Sequence, residues 1–181
     1  MSLNNTSHPG RPRTDELVPS RYALQVGEID VLVISDGVLP ISAETIAYNA
    51  DSADLAAWLD DRLQPKDVYK WPLNVVMVRS GGRTVLIDSG AGSEFPAFPG
   101  VGQLATRLDA AGIDPASVTD VVLTHMHMDH VGGLLGDGLK RRLRPDLRVH
   151  VASAEAEFWE SPDFSRTHMP PGSDASWWAS R

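Results

Sequence analysis

The chain of 181 residues contains no cysteine, which excludes disulfide bonds, thiolate metal ligands and a cysteine nucleophile. Apolar runs are short, and none reaches the length of about eighteen residues that a membrane-spanning helix requires. Positive charge is also scarce, because 16 lysines and arginines stand against 24 aspartates and glutamates, giving a formal charge of −8. This balance argues against a nucleic-acid-binding face, which needs clustered basic residues.

The organisation predicted from composition is simple. The N-terminus lacks the basic segment followed by an apolar segment that marks a secretory signal peptide. Together with the lack of cysteine, this is compatible with a cytoplasmic protein, which we expect.

Residues 1–20 are polar and proline-rich, so we predict a flexible N-terminal arm. Residues 21–181 are predicted to form one domain, because their number suits a single core.

Hydrophobic periodicity predicts an alternation of strands and helices. Residues 22–34 indicate a hairpin that Ser35-Asp36-Gly37 ends, and residues 38–50 indicate a long loop. The helix expected over residues 51–63 has one apolar face, formed by Leu55, Trp58, Leu59 and Leu63. Further strands are predicted over residues 71–79, 84–87, 119–124 and 147–152, and further helices over residues 103–111 and 153–159. The basic residues between 140 and 144 are interpreted as a solvated face.

The most informative stretch is residues 124–133, which read Thr-His-Met-His-Met-Asp-His-Val-Gly-Gly. It follows a predicted strand, at a place where side chains with a function commonly lie. Imidazole and carboxylate groups are the usual ligands of zinc and its first-row neighbours. We therefore predict metal ligands at four positions: His125, His127, Asp129 and His130. The alternative is a solvated histidine-rich loop that binds metal adventitiously.

The spacing of these residues favours two metal ions. His125 and His127 point to the same side if the chain is extended, since side chains alternate along a strand. Asp129 and His130 come after the turn and can face a second position. Two ions roughly 3.5–4 Å apart can share a bridging hydroxide and hold a hydrolysable group. We expect zinc, with iron or manganese as alternatives.

Two segments together carry a family resemblance. Residues 124–133 resemble the metal-binding motif of the metallo-β-lactamase superfamily, and residues 85–90, Val-Leu-Ile-Asp-Ser-Gly, resemble its strand followed by Asp-Ser/Thr-Gly. Residues 21–40 resemble the opening hairpin of its methyl parathion hydrolase-like and acyl-homoserine lactonase-like branches. The resemblance implies an α/β (α+β) fold, an αββα sandwich in which a mixed sheet is flanked by helices. It also implies hydrolase activity.

The resemblance assigns roles to two aspartates. Asp88 ends a predicted strand, where a carboxylate can orient a metal-binding histidine through its second ring nitrogen. The alternative for Asp88 is an ordinary turn or cap residue. Asp129 is expected to be both a ligand and the catalytic residue that orients the nucleophile or shuttles its proton.

The ligand set is smaller than the family implies. Members of the superfamily take a histidine, a bridging aspartate and a last histidine from the second half of the fold. After His130 this chain offers only His150, in a predicted strand, and His168. We therefore expect the chain to correspond to the N-terminal half of such a domain, and to need a second copy or a partner chain.

The expected function is hydrolysis of a small ester, lactone or phosphotriester by a metal-bridged hydroxide. A thioester substrate is an open alternative, as in glyoxalase II-like members. A non-catalytic half-domain that requires a partner chain is an alternative of a different class. We expect neither nucleic acid nor membrane as a partner.

Overall fold

The computed structural model of the chain describes residues 20–66, 68–94 and 98–165. The predicted arm, apart from Ser20, lies outside the described residues, as does His168. The strands are β1 Arg21–Val26, β2 Ile29–Ile41, β3 Tyr69–Ser80, β4 Arg83–Ile87, β5 Asp120–Val122 and β6 Arg148–His150. The helices are α1 Ala43–Ile46, α2 Ser52–Asp61, α3 Leu104–Ala110, α4 Met128–Leu135, α5 Asp137–Lys140 and α6 Ser153–Glu160.

The strands form one mixed sheet in the order β1-β2-β3-β4-β5-β6. The first four strands pair antiparallel, and β5 and β6 add in parallel beside β4. Parallel neighbours need a crossover connection, which α3 provides between β4 and β5. A mixed sheet with flanking helices was predicted, and the structure confirms it.

Strand β2 is longer than the sequence suggested. The prediction that Ser35-Asp36-Gly37 ends the hairpin was wrong, since β2 continues to Ile41 and stays paired with β3. The register shifts between Ser35 and Gly37, and Gly37 has a φ of 124°. A β-bulge accommodates such an extra residue and bends the strand without ending it. A turn-like tripeptide can therefore lie within a strand.

The hydrophobic core lies on one face of the sheet. Strand residues Ile34, Val75 and Leu86 are buried there with Leu108 of α3 and Val131 of α4. Because α4 carries Asp129 and His130, burial of Val131 fixes the first turn of this helix against the sheet. The core thus determines where two of the predicted ligands lie.

The other face of the sheet is also apolar. One row of paired residues crosses it, formed by Tyr22, Val33, Val76, Ile87 and Val122. Tyr22 and Val122 at the two ends of the row remain 68% and 37% exposed. An apolar sheet face usually packs against a second layer.

Helix α2 contributes less to the core than predicted. Asp51 caps its N-terminus by accepting hydrogen bonds from the amides of Ala53 and Asp54. Of the predicted apolar face only Leu59 is buried, while Trp58 is 50% and Leu63 93% exposed. The prediction of one buried face was wrong, because Leu63 lies beyond the helix end and Trp58, within the helix, is half-exposed.

Asp120 is a fully buried carboxylate at the start of β5. It accepts hydrogen bonds from Arg83 Nη2 at 2.6 Å, Thr119 Oγ1 at 2.6 Å and Arg148 Nη2 at 3.1 Å. The Nε2 atom of His150 lies 2.8 Å from its Oδ1. His150 is therefore engaged with this buried cluster.

Asp120→Asn is expected to lower the melting temperature at pH 7 by about 5–10 °C, because the half-exposed Arg83 and Arg148 lose the charge of their buried partner. The hydrogen bond from Arg83 lowers the pKa of Asp120 far below its ordinary range. The stability that ionised Asp120 contributes to the fold is complete above the unfolded pKa of about 3.9. It is lost as the pH falls toward the lower pKa of the folded state. The measurement is the melting temperature of wild type and of Asp120→Asn from pH 7 to pH 2.

Asp109→Asn is the matched control, since Asp109 forms a surface ion pair with Arg142. Exposed ion pairs contribute little to stability because solvent screens them, so this variant should unfold close to wild type. A difference between Asp120→Asn and wild type that stayed constant from pH 7 to pH 2 would contradict the linkage.

Candidate metal centre

The predicted ligands follow strand β5 at the edge of the sheet. The amide of Leu123 donates to the carbonyl of His150 at 2.8 Å, which extends the strand pairing by one residue. The chain then bends at Thr124 and at His127, whose ψ is 153°, and α4 begins at Met128. His125 and His127 therefore precede the helix, and Asp129 and His130 lie in its first turn.

The structure brings the four predicted side chains together. The ring centroids of His125 and His127 are 4.5 Å apart, and those of His125 and His130 are 3.9 Å apart. His130 Nε2 lies 3.3 Å from Asp129 Oδ2. Three imidazoles and one carboxylate thus form a single cluster at the C-terminal ends of β4 and β5.

Asp88 connects this cluster to strand β4. Its Oδ2 lies 2.8 Å from His130 Nδ1, and its Oδ1 accepts the amide of Thr124 at 2.8 Å. The Asp88 backbone has a φ of 65°, a left-handed conformation that is uncommon outside glycine. Such strained residues concentrate at functional sites. The structure therefore places Asp88 in contact with both the backbone and a ring of the candidate centre.

The charges within the cluster are strongly coupled. Burial opposes the charge on His130, but hydrogen bonds to Asp129 and Asp88 raise the pKa of His130 to about 9. Burial also opposes the charge on each aspartate, yet the hydrogen bond from His130 lowers the pKa of both Asp88 and Asp129. Burial and the nearby His125 lower the pKa of His127. Both carboxylates are thus ionised at neutral pH.

Two glycines bring α4 close to the chain after β4. A Cβ at Gly132 would overlap the carbonyl oxygen of Ala91, and one at Gly133 would overlap that of Ser89. The Gly133 amide donates to the carbonyl of Gly90 at 3.0 Å. The close approach explains why the motif continues with two glycines.

Asp36 is a further candidate residue, which the sequence indicates only as part of a turn. It is fully buried, and its carboxylate accepts the amides of Ala91 and Leu104, each at 2.8 Å. Burial raises the pKa of Asp36, although these backbone hydrogen bonds oppose the shift. Asp36 thereby joins the bulge of β2, the segment after Asp88 and the N-terminus of α3.

The donor chemistry of the cluster suits a divalent metal ion. Imidazole nitrogens and a carboxylate are typical zinc ligands, and a ligand histidine commonly bonds a carboxylate through its other nitrogen, as His130 does with Asp88. Across residues 20–66, 68–94 and 98–165, however, no three His, Cys, Asp or Glu side chains already form a group that could hold a metal ion. Their assignment as ligands therefore stays a prediction.

Comparison with known families identifies the chain. The sequence model of the metallo-β-lactamase superfamily matches residues 68–177, which is more than half of the chain. The chain therefore belongs to the metallo-β-lactamase superfamily, as residues 85–90 and 124–133 indicated.

Solved structures agree with this membership. AidC, a dizinc quorum-quenching lactonase, superposes on 81% of this chain with a TM-score of 0.72 and 24% identity. AbOPH, a hydrolase in the β-lactamase superfamily, superposes on 81% with a TM-score of 0.69 and 30% identity. The likeness to AidC establishes the fold alone. This chain spans 49% of each of the two structures.

Two curated relatives match shorter stretches. Ribonuclease Z of Aeropyrum pernix is 29% identical over 95 residues, which cover 50% of this chain and 27% of the relative. Ribonuclease Z of Mycobacterium avium is 38% identical over 66 residues, which cover 36% of this chain and 19% of the relative.

Within the described residues, no helix has both the length and the hydropathy that a membrane span requires.

Proposed function

We propose that the chain contributes the metal-binding half of a metal-dependent hydrolase that cleaves an ester, lactone or phosphotriester. The observation that carries the proposal is the cluster of three histidines and Asp129, with one histidine ring held by Asp88 at 2.8 Å. The fold shared with a lactonase and the 30% identity to a hydrolase support it.

Two divalent ions, most simply zinc, with iron or manganese as alternatives, would be held by the predicted ligands His125, His127, Asp129 and His130. When bound, such ions lower the pKa of water and polarise a carbonyl or phosphoryl oxygen of the substrate. Four donors are too few for two hydrolytic zinc ions, which usually take about three protein ligands each. We propose that the remaining ligands come from a second copy or from a partner chain.

The chain's own residues orient the site and handle the proton. Asp88 accepts at Oδ2 from His130 Nδ1, which leaves Nε2 facing Asp129. Asp129 is the proposed catalytic residue, because its ionised Oδ2 can accept a proton from the attacking water. The partner that supplies further ligands would also cover the apolar sheet row that begins at Tyr22 and ends at Val122.

A second candidate function is RNA phosphodiester cleavage. The matches to ribonuclease Z favour it, whereas the formal charge of −8 opposes an RNA-binding surface. Thioester hydrolysis and a non-catalytic half-domain remain alternatives. A cytoplasmic site of action fits the lack of cysteine. A substrate panel distinguishes these possibilities.

The test is a zinc titration of the chelator-treated 181-residue chain, with a panel of a lactone, a phosphotriester, a thioester and RNA. We expect weak zinc binding and little turnover by the isolated chain. His127→Ala should abolish most of the binding, and His8→Ala, in the predicted arm, should leave it unchanged.

Two results would contradict the proposal. Equal zinc affinity in wild type and His127→Ala would show that the proposed metal centre does not bind the zinc. Tight occupancy of two sites with rapid turnover by a monomer would show that the chain holds the complete ligand set. Cleavage of RNA alone from the panel would establish the second candidate.

A further inference from the structure

One carboxylate from α6 reaches the backbone of the candidate metal centre. Glu155 lies in the first turn of α6, and its Oε1 accepts the amide of Met126 at 2.7 Å. Met126 separates His125 from His127 in the chain. The two residues joined by this hydrogen bond are 29 positions apart in the sequence. Glu155 therefore fixes the metal-binding loop from outside its own sequence.

The Met126 residue is held on two sides. Its side chain packs against the main hydrophobic core, while its amide donates to Glu155. The two contacts hold Met126 at its amide and at its side chain, so together they restrict rotation of the backbone. Because His125 and His127 are its neighbours, their Cα positions are restricted with it.

The same Glu155 oxygen also holds an aromatic ring next to the centre. Trp159, one turn later in α6, donates its indole Nε1–H to Glu155 Oε1 at 2.7 Å. The indole stands edge-on to the His127 ring, with centroids 6.0 Å apart and an interplanar angle of 87°. One acceptor thus positions a backbone amide between two histidines and a ring that contacts one of them.

We propose that Glu155 is a positioning residue of the metal centre, acting through the Met126 amide and the Trp159 indole. This inference rests on the proposed function, since it concerns residues that are predicted to bind metal. Glu155 touches neither substrate nor metal in this role. The two hydrogen bonds need only the acceptor oxygen, because both donors are neutral N–H groups, whereas the negative charge of Glu155 acts separately on the nearby His125 and His127.

Three variants separate this role from a general effect on folding. Glu155→Ala removes the acceptor, and Glu155→Gln retains an acceptor oxygen without the charge. Glu157→Ala is the matched control, because Glu157 is an exposed glutamate of the same helix. The metal-free melting temperature of each variant shows whether it remains folded.

The first measurement uses the metal-free, isotope-labelled chain and nuclear magnetic resonance. In Glu155→Ala the Met126 amide and the Trp159 indole N–H should lose their downfield chemical shifts and exchange faster with solvent. The chemical shifts of the His127 ring protons should also change. At the Met126 amide and the Trp159 indole N–H, Glu155→Gln and Glu157→Ala should resemble wild type. Unchanged resonances in Glu155→Ala, or equal losses in Glu155→Gln, would overturn the inference.

The second measurement is a titration with zinc alone. Glu155→Ala should bind zinc about tenfold more weakly than wild type, at the lower end of what loss of an outer partner costs. Glu157→Ala should bind close to wild type, and Glu155→Gln, which keeps the acceptor oxygen, should bind more tightly than Glu155→Ala. Equal affinity in Glu155→Ala and wild type overturns the inference. If wild type binds no zinc, the proposed function fails, and the resonance measurement alone decides the role of Glu155.

Discussion

Asp88→Asn is expected to lower the zinc affinity of the chain about ten- to a hundredfold, as loss of a partner to a metal-binding histidine typically does. The aspartate places an ionised acceptor 2.8 Å from His130 Nδ1. Such an acceptor fixes the proton on Nδ1 and leaves Nε2 for a metal. An asparagine can present its amide group there instead, and the preferred tautomer of His130 is no longer determined.

Asparagine is the informative substitution because the backbone at Asp88 has a φ of 65°. Asparagine tolerates this left-handed conformation better than most residues, so the turn should survive. Its amide oxygen can still accept the amide of Thr124. Zinc competition with a chromophoric chelator measures the affinity, and Asp137→Asn, an exposed aspartate in α5, is the control. Wild-type affinity in Asp88→Asn would leave Asp88 as a turn residue only.

Gly133→Ala is expected to lower the free energy of unfolding by on the order of 3 kcal/mol, comparable to severe overpacking in a core. In an open helix the same change would be stabilising by up to about 1 kcal/mol, because alanine is the better helix former. Here the new methyl group would overlap the Ser89 carbonyl oxygen and would lie 3.2 Å from Leu139 Cδ2. The backbone of α4 would have to move away from the chain after β4.

Gly138→Ala in α5 is the control for this effect. A Cβ at Gly138 would meet only the Ser93 side chain, at 3.6 Å for Oγ, which is an ordinary contact. Urea unfolding should show Gly138→Ala at or slightly above wild-type stability. If both glycine variants unfold at the same urea concentration, the close packing of α4 is not what requires Gly133.

Much of the site could be predicted from local sequence. Residues 124–133 combine the ligand types with a preceding apolar run, and the structure places them where that run ends. Asp88 was predicted from a short segment of the same kind, and the structure brings its carboxylate to His130. Short-range patterns are sufficient to predict a site when the ligand-type residues directly follow, in the chain, the strand that positions them.

The contributions of Asp36 and Glu155 could not be predicted in the same way. Asp36 lies in a tripeptide that is typical of turns, and its bonds to Ala91 and Leu104 span 55 and 68 residues. Glu155 is one of several acidic residues in a short helix, and nothing local distinguishes it from Glu157. Both depend on how distant segments pack, which periodicity does not reveal. The extra length of β2 was missed for a related reason, since pairing with β3 outweighs the turn preference of Ser35-Asp36-Gly37.

The buried Asp36 carboxylate has a consequence for the order of folding. Its two hydrogen bonds close long loops, of 55 and 68 residues, around one side chain, and loop closure costs more entropy as loops grow. Neither bond is favourable until the other segments have arrived, because an isolated buried carboxylate is costly. The segment after Asp88 therefore cannot order by itself. We expect the candidate metal-binding edge of the sheet to be completed as a unit, after the hairpins β1-β2 and β3-β4, which need only local contacts.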